Sequence, residues 1–185
     1  MDRRPIRIFV SATADLERER EAVGEALAKF PVPLPWEIKR TPKPGEQSPA
    51  ATGKVKESDF YLVLLGQDIT APVGAELDVA LRSDTVVIAL TKKVVQTLAA
   101  RHFRFNVLDR WESFSDVDEL RGLVVHRLAK ELVDRSPGYS VTADELAGLI
   151  EYLQEEREQH IEGVAGKREP SGAQDGAIIV SPSGE

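Results

Sequence analysis

An apolar run that breaks into hydroxyl and acidic residues just where a helical repeat begins leaves a chain few options. Here Ile8-Phe9-Val10 gives way to Ser11-Ala12-Thr13-Ala14-Asp15, and Leu16-Glu17-Arg18-Glu19-Arg20 opens the helical pattern. A strand that feeds a helix in this way suits a parallel sheet, because parallel neighbours need a crossover between them. The C-terminal end of such a strand faces a crevice, and the next helix offers it unpaired N–H groups and a partial positive charge. A phosphate or a ribose would be well received there.

The rest of the chain repeats the alternation. Residues 6–10 read as a strand and 15–30 as an amphipathic helix with Leu16, Val23, Leu27 and Phe30 on one side, ended by Pro31, Pro33 and Pro35. A weaker strand over 36–39 precedes a Pro- and Gly-rich loop over 41–49 and a short polar helix over 50–57. Phe60-Tyr61-Leu62-Val63-Leu64-Leu65 is apolar throughout and stops at Gly66, as a strand covered by helices on both faces must be. A helix over 71–81, a strand over 85–90, a helix over 94–101 and a last strand over 105–108 follow, then helices over 117–135 and 143–161. Thr142-Ala143-Asp144-Glu145 forms a capping box, which fixes the start of the final helix. From Gly163 the composition turns to Gly, Ser, Pro and charge, so the expected division is a domain over 1–162 and a flexible tail or linker over 163–185. Ala177-Ile178-Ile179-Val180 is that tail's one apolar patch.

The fold class expected from this pattern is α/β, a flavodoxin-like three-layer sandwich. Its five-stranded parallel sheet takes the order 2-1-3-4-5, with added C-terminal helices. In that order the first and third strands flank the switch point, and loops 11–15 and 66–73 converge on one crevice.

Composition narrows the function. With 185 residues and 42% hydrophobic content, one domain with a true core is the natural reading. The 24 basic against 31 acidic residues, net −7, argue against duplex nucleic acid as a partner. Arg18, Arg20, Arg101 and Arg104 could still form a local anion site. Absence of cysteine excludes disulfides and thiolate chemistry, and His102, His126 and His160 are too scattered to suggest a metal site. No apolar run approaches the ~20 residues that span a bilayer, and no leader pattern opens the chain, so a soluble, cytoplasmic protein is expected. Neither Gly-x-Gly-x-x-Gly nor Gly-Lys-Ser/Thr occurs, which sets aside dinucleotide oxidoreductases and phosphate-loop NTPases.

Glu76 is the residue most suited to chemistry. At ~100° per residue it lies about 60° from Val73 and about 40° from Ala80, beside the apolar stripe of Val73, Leu77, Ala80 and Leu81, while Asp78 points to solvent. A carboxylate so placed, in the first turn of a helix facing the crevice, can stabilise or capture the oxocarbenium ion that forms when a bond between ribose and base breaks. The plainer account is that it merely favours the positive helix N-terminus. Ser11, Thr13 and Asp15 likewise double as helix caps. Asp59 reads as a turn residue, Arg20 as a partner for a carboxylate, and Trp111 as core or as a stacking platform.

Ile8-Phe9-Val10-Ser11-Ala12-Thr13, followed by Asp15-Leu16 and Glu19-Arg20, resembles the opening signature of a bacterial family related to TIR domains and known as a domain of unknown function. The resemblance continues through residues 54–66, Glu76 with Ala80, and Trp111 with Leu120, covering about residues 5 to 135. It implies a TIR-like fold, akin to nucleoside deoxyribosyltransferases and nucleotide N-glycosidases, with Glu76 catalytic and NAD or a related nucleotide as substrate. Expected ligand contacts are Ser11, Thr13, Asp15, Gly66, Gln67 and Gly74, with no metal and no stored cofactor. A role in bacterial signalling or defence goes with that resemblance. Two departures favour the alternative, a noncatalytic interaction or nucleotide-sensing domain. Ala12 stands where the family commonly has a second Ser, and Gln67-Asp68-Ile69-Thr70 replaces an Arg-Tyr-Gly-like segment. In either case the C-terminal helices could mediate self-association or hold a partner protein.

Overall fold

The structure, a computed structural model, describes residues 4–41 and 51–165. The chain divides into two compact units, Met1–Leu153 and Gln154–Glu185. The first holds a parallel sheet of β1 (Ile6–Ala12), β2 (Trp36–Arg40), β3 (Phe60–Leu65), β4 (Val86–Lys92) and β5 (Glu112–Phe114). Their order is β2-β1-β3-β4-β5 and every neighbouring pair is parallel. This is the α/β, flavodoxin-like arrangement expected from the alternation of strand and helix patterns.

Side chains alternate across each strand, so the sheet separates two cores. Ile6, Ile8 and Val10 of β1, with Phe60, Leu62 and Leu64 of β3, pack against α1 (Glu17–Ala28) and α5 (Val117–Asp134). Phe9, Tyr61 and Val63 face the other way, against α2 (Ala51–Lys56), α3 (Ala71–Leu81) and α4 (Leu98–Val107). All six residues of β3 are buried, which is why that segment carries no polar position. By the same parity Ser11 of β1 joins Phe9 on the α3 side, and this decides what it can meet.

The first helix enters through a 3₁₀ turn, Ala14–Leu16, and becomes α-helical at Glu17. The capping box forms at the start of α6 (Ala143–Ala165): Glu145 N–H donates to Thr142 Oγ1 at 3.3 Å, and Thr142 N–H to Glu145 Oε2 at 2.9 Å. Leu149 of α6 is fully buried, with Tyr152 and Leu153 packed on the same core. Among the described residues no helix is long and apolar enough to cross a membrane.

Two expectations need correction. Residues 105–108 are not the last strand, and the helix expected over 94–101 is α4, Leu98–Val107. Thr97 caps that helix by accepting the Ala100 N–H at 3.1 Å. Ala100, Phe103 and Val107 then pack inward at helical spacing, while Phe105 stays 75% exposed. The last strand is the three-residue β5, whose only buried side chain is Phe114. Trp111 therefore precedes it. Residues 42–50 of the Pro- and Gly-rich segment, and the tail from 166 with its Ala177–Val180 patch, lie outside the described residues.

Candidate functional site

The parallel register sets Val10 beside Arg40, so the next residues along, Ser11 and Thr41, emerge together at the C-terminal edge of the sheet. Thr41 is held there by its N–H donating to the Val10 carbonyl at 3.2 Å. α3 returns over this edge and brings Glu76 between them. The Ser11 hydroxyl donates to Glu76 Oε2 at 2.6 Å and the Thr41 hydroxyl donates to the same oxygen at 2.7 Å. The Thr41 hydroxyl also lies 3.2 Å from Ser11 Oγ, a second and longer acceptor for its one proton. Ser11, Thr41 and Glu76 are 0%, 6% and 2% exposed. Glu76 is the sixth residue of α3 and so stands in its second turn. The pull of the helix dipole is confined to the first turn and does not account for it.

The carboxylate is half satisfied. Oε1 is buried and has no hydrogen-bond partner among the described residues. Burial raises the Glu76 pKa above the ordinary glutamate range, while the hydroxyls of Ser11 and Thr41 act in the opposite direction. Tyr61 lies close by, its hydroxyl donating to the Val73 carbonyl at 3.4 Å. Its pKa is raised chiefly by burial, with the Glu76 charge adding to the effect and Ser11 opposing it. With two donors fixed on Oε2, Oε1 is the buried oxygen left without a donor, an acceptor when the group is ionised and the site of a proton when it is not.

The remaining expected residues tie loops together. Thr13 occupies the cap position of the 3₁₀ turn but makes no side-chain cap; its Oγ1 accepts the Gly66 N–H at 3.1 Å. Asp15 Oδ2 accepts the Gln67 N–H at 2.8 Å. These bonds join the loop after β1 to the loop after β3. A Cβ on Gly66 would lie 2.0 Å from Asp15 Oδ2, so that approach requires glycine. Gln96 Nε2 donates to the Gly66 carbonyl at 3.1 Å and Thr97 N–H to the Gln67 carbonyl at 2.8 Å, adding the loop after β4. Gly74 sits in α3 with Phe103 at 3.8 Å from a notional Cβ, and is not sterically required.

Thr41 is the site residue that pattern reading misses, because it looks like the first position of a loop. Arg20 pairs with Glu17 as expected and also donates to the Thr41 carbonyl at 3.3 Å, supporting the position from α1. A further ion pair has no local sequence signal: Glu19, 4% exposed, binds Lys92 at the end of β4 at 2.6 Å. The four arginines considered for an anion site divide between α1 and α4, with Arg104 stacked 5.6 Å over Phe105. Trp111 packs edge-on to Phe103 at 6.4 Å on the α3 side of the sheet. Among the described residues no cluster of His, Asp and Glu could hold a metal ion.

No protein-family model matches the chain, and no curated protein matches it.

Proposed function

We propose that this chain is a TIR-like module that cleaves the N-glycosidic bond of NAD or a related nucleotide, with Glu76 as the reacting carboxylate. The observation that carries the reading is the half-satisfied carboxylate: two hydroxyls hold Oε2, Oε1 is unpartnered, and the group is buried at the C-terminal edge of a parallel sheet. In open α/β sheets ligands bind outside that edge, at the switch point between β1 and β3. A carboxyl whose pKa is raised by burial at such a place is a functional candidate.

The chemistry needs little else. The bond between ribose C1′ and the pyridinium nitrogen breaks, and its electron pair leaves with nicotinamide, which becomes neutral and needs no acid. Glu76 Oε1 stabilises the oxocarbenium ion at C1′ or captures it, and water then adds there and releases its proton. Ser11 and Thr41 keep the carboxylate aimed, while Asp15, Gly66 and Gln67 keep the loops after β1 and β3 at a fixed separation.

The test is nicotinamide release measured by chromatography at high protein concentration. Wild type is expected to turn NAD over, and Glu76→Gln to lose ~10²–10³-fold, the usual cost of removing one charge-stabilising group. Unchanged turnover in Glu76→Gln would remove Glu76 from the mechanism. A second reading, a nucleotide-sensing or interaction module in signalling or defence, is favoured by one observation. Glu76 is only 2% exposed, and Thr13 and Asp15 are already satisfied by Gly66 and Gln67. Nucleotide binding without turnover by folded wild type would select it.

A further inference from the structure

β2 is an edge strand: among the described residues no strand pairs with its outer side. Which of its backbone groups face outward follows from two bonds. The Ile6 N–H donates to the Pro35 carbonyl at 2.8 Å and the Thr41 N–H donates to the Val10 carbonyl at 3.2 Å. In a strand, successive residues turn N–H and C=O alternately to the two sides, so Glu37 and Lys39 share that inward direction. Trp36, Ile38 and Arg40 therefore present their N–H and C=O groups to the open edge.

We infer that this edge pairs with the same edge of a second copy of the chain, antiparallel, about a two-fold axis through Ile38. The register is dictated twice over. In an antiparallel ladder a hydrogen-bonded pair exchanges both N–H···O bonds, and the two-fold makes Ile38 face Ile38 of the second copy in just such a pair. Trp36 then faces the second copy's Arg40, again with both sets of groups pointing outward, so every outward group of β2 gains a partner. Side chains agree with the backbone. Glu37, which pairs with Lys39 and Arg7 of its own chain at 3.0 and 3.1 Å, also faces Lys39 of the second copy on both sides of the axis, so opposite charges stand at directly opposed positions, which favours pairing. Trp36 meets the Arg40 guanidinium, a favourable aromatic–cation match.

Other alignments fail on charge. A parallel, in-register pair sets Glu37 against Glu37 and Lys39 against Lys39, and an antiparallel slip centred on either residue opposes like charges at its axis. Edge lysines commonly prevent strand addition. Here a glutamate two residues earlier on the same face reverses that effect for one partner in one register. A groove of about 500 Å³ borders the strand, with Leu27, Phe30, Val32, Leu34, Trp36 and Ile38 among its lining residues. Ile38 is 45% exposed beside it, and the second copy's Ile38 would cover this position. Because the contact is isologous, assembly closes at the dimer. The pairing does not rest on the glycosidase reading, although it would steady the strand that delivers Thr41 to Glu76.

Sedimentation equilibrium of the full chain, run as a concentration series into the millimolar range, tests the inference. A reversible monomer–dimer equilibrium that weakens with added salt is expected; a monomer throughout, or assembly beyond the dimer, overturns it. Glu37→Lys and Lys39→Glu, each alone, should raise the dissociation constant roughly tenfold or more by setting like charges opposite each other. An equimolar mixture of the two should form a heterodimer at least as tight as wild type, since all four opposed positions again carry opposite signs. Singles that dimerise like wild type contradict the register, as does a mixture that stays monomeric although both variants keep the wild-type circular dichroism and melting temperature. Ile38→Lys provides an independent arm at an exposed position: a lysine facing itself at the axis should leave a folded monomer, and an undiminished dimer would refute the pairing.

Discussion

At the N-terminal end of β3 the Asp59 carboxylate accepts the Arg7 N–H at 2.8 Å and the Arg4 guanidinium at 2.6 Å. At the other end of the sheet Glu76 has two hydroxyls on one oxygen and, among the described residues, no partner on the other and no cation acting on it. Both carboxylates sit where strands end, yet only the first is neutralised. Asp59 keeps 15% of its side chain exposed and braces β1 to β3. Glu76 is shut away at 2% exposure and bears the cost of burial as a raised pKa. A fold that can satisfy a carboxylate at one end and leaves one half satisfied at the other points to use at the second.

That contrast can be broken from several sides. The largest structural effect is expected at Gly66, where Ala would force Asp15 off the Gln67 N–H. Gly66→Ala should cost about 2 kcal/mol in chemical denaturation, a typical value for overpacking that breaks a bond. In the Asp15→Ala background the same substitution should cost much less, because the clash and the bond are already gone. Full additivity of the pair would mean that Asp15 does not hold the loops together. Next comes the pairing of Asp59. Asp59→Asn should lose about 1 kcal/mol by weakening charge-assisted bonds to Arg4 and Arg7, without touching turnover.

Glu76 should respond with the opposite sign. Its folded pKa lies above the ordinary glutamate value, so between the two the folded state binds more protons than the unfolded state. Stability from this group is full below the ordinary value and falls as pH rises through the folded one. Glu76→Gln removes the loss, so the variant should gain on wild type as pH rises from the acidic range to pH 8. A gap that shrinks as pH rises would mean the carboxylate is stabilised by its surroundings. Thr41→Val, which deletes one of the two donors, should cost about 1 kcal/mol near neutrality, the usual worth of one hydrogen bond, and Thr41→Ser should restore most of it.

The legible and illegible parts of this molecule divide by range. β3 announces itself through six consecutive apolar residues, and β1 through its abrupt change to Ser, Thr and Asp. Their parallel pairing follows from connection rules for alternating chains, and the order 2-1-3-4-5 is the simplest arrangement those rules allow for five strands. Glu76 was accessible because helical geometry places it beside the stripe of Val73, Leu77 and Ala80 before any tertiary contact is known. Thr41 was not, since its role depends on β2 pairing with β1 in the register that sets Val10 beside Arg40, and nothing local encodes that register. Thr13 and Asp15 were visible as polar positions, but their partners, Gly66 and Gln67, are more than fifty residues away. β5 was missed because a three-residue edge strand buries only Phe114, while the apolar spacing of Phe105, Val107 and Leu108 imitates a strand. Its helical identity comes from Thr97 and from the core contacts of Ala100 and Phe103.

The most direct test of the half-satisfied carboxylate is a ¹³C NMR titration of the Glu76 side-chain carboxyl, in wild type and in Thr41→Val. The carboxyl should titrate above the ordinary glutamate value of 4.5, and higher still once the Thr41 hydroxyl is removed. A Glu76 that titrates at or below that value, or that ignores the loss of Thr41, would show a carboxylate fully satisfied by its surroundings and would contradict the account.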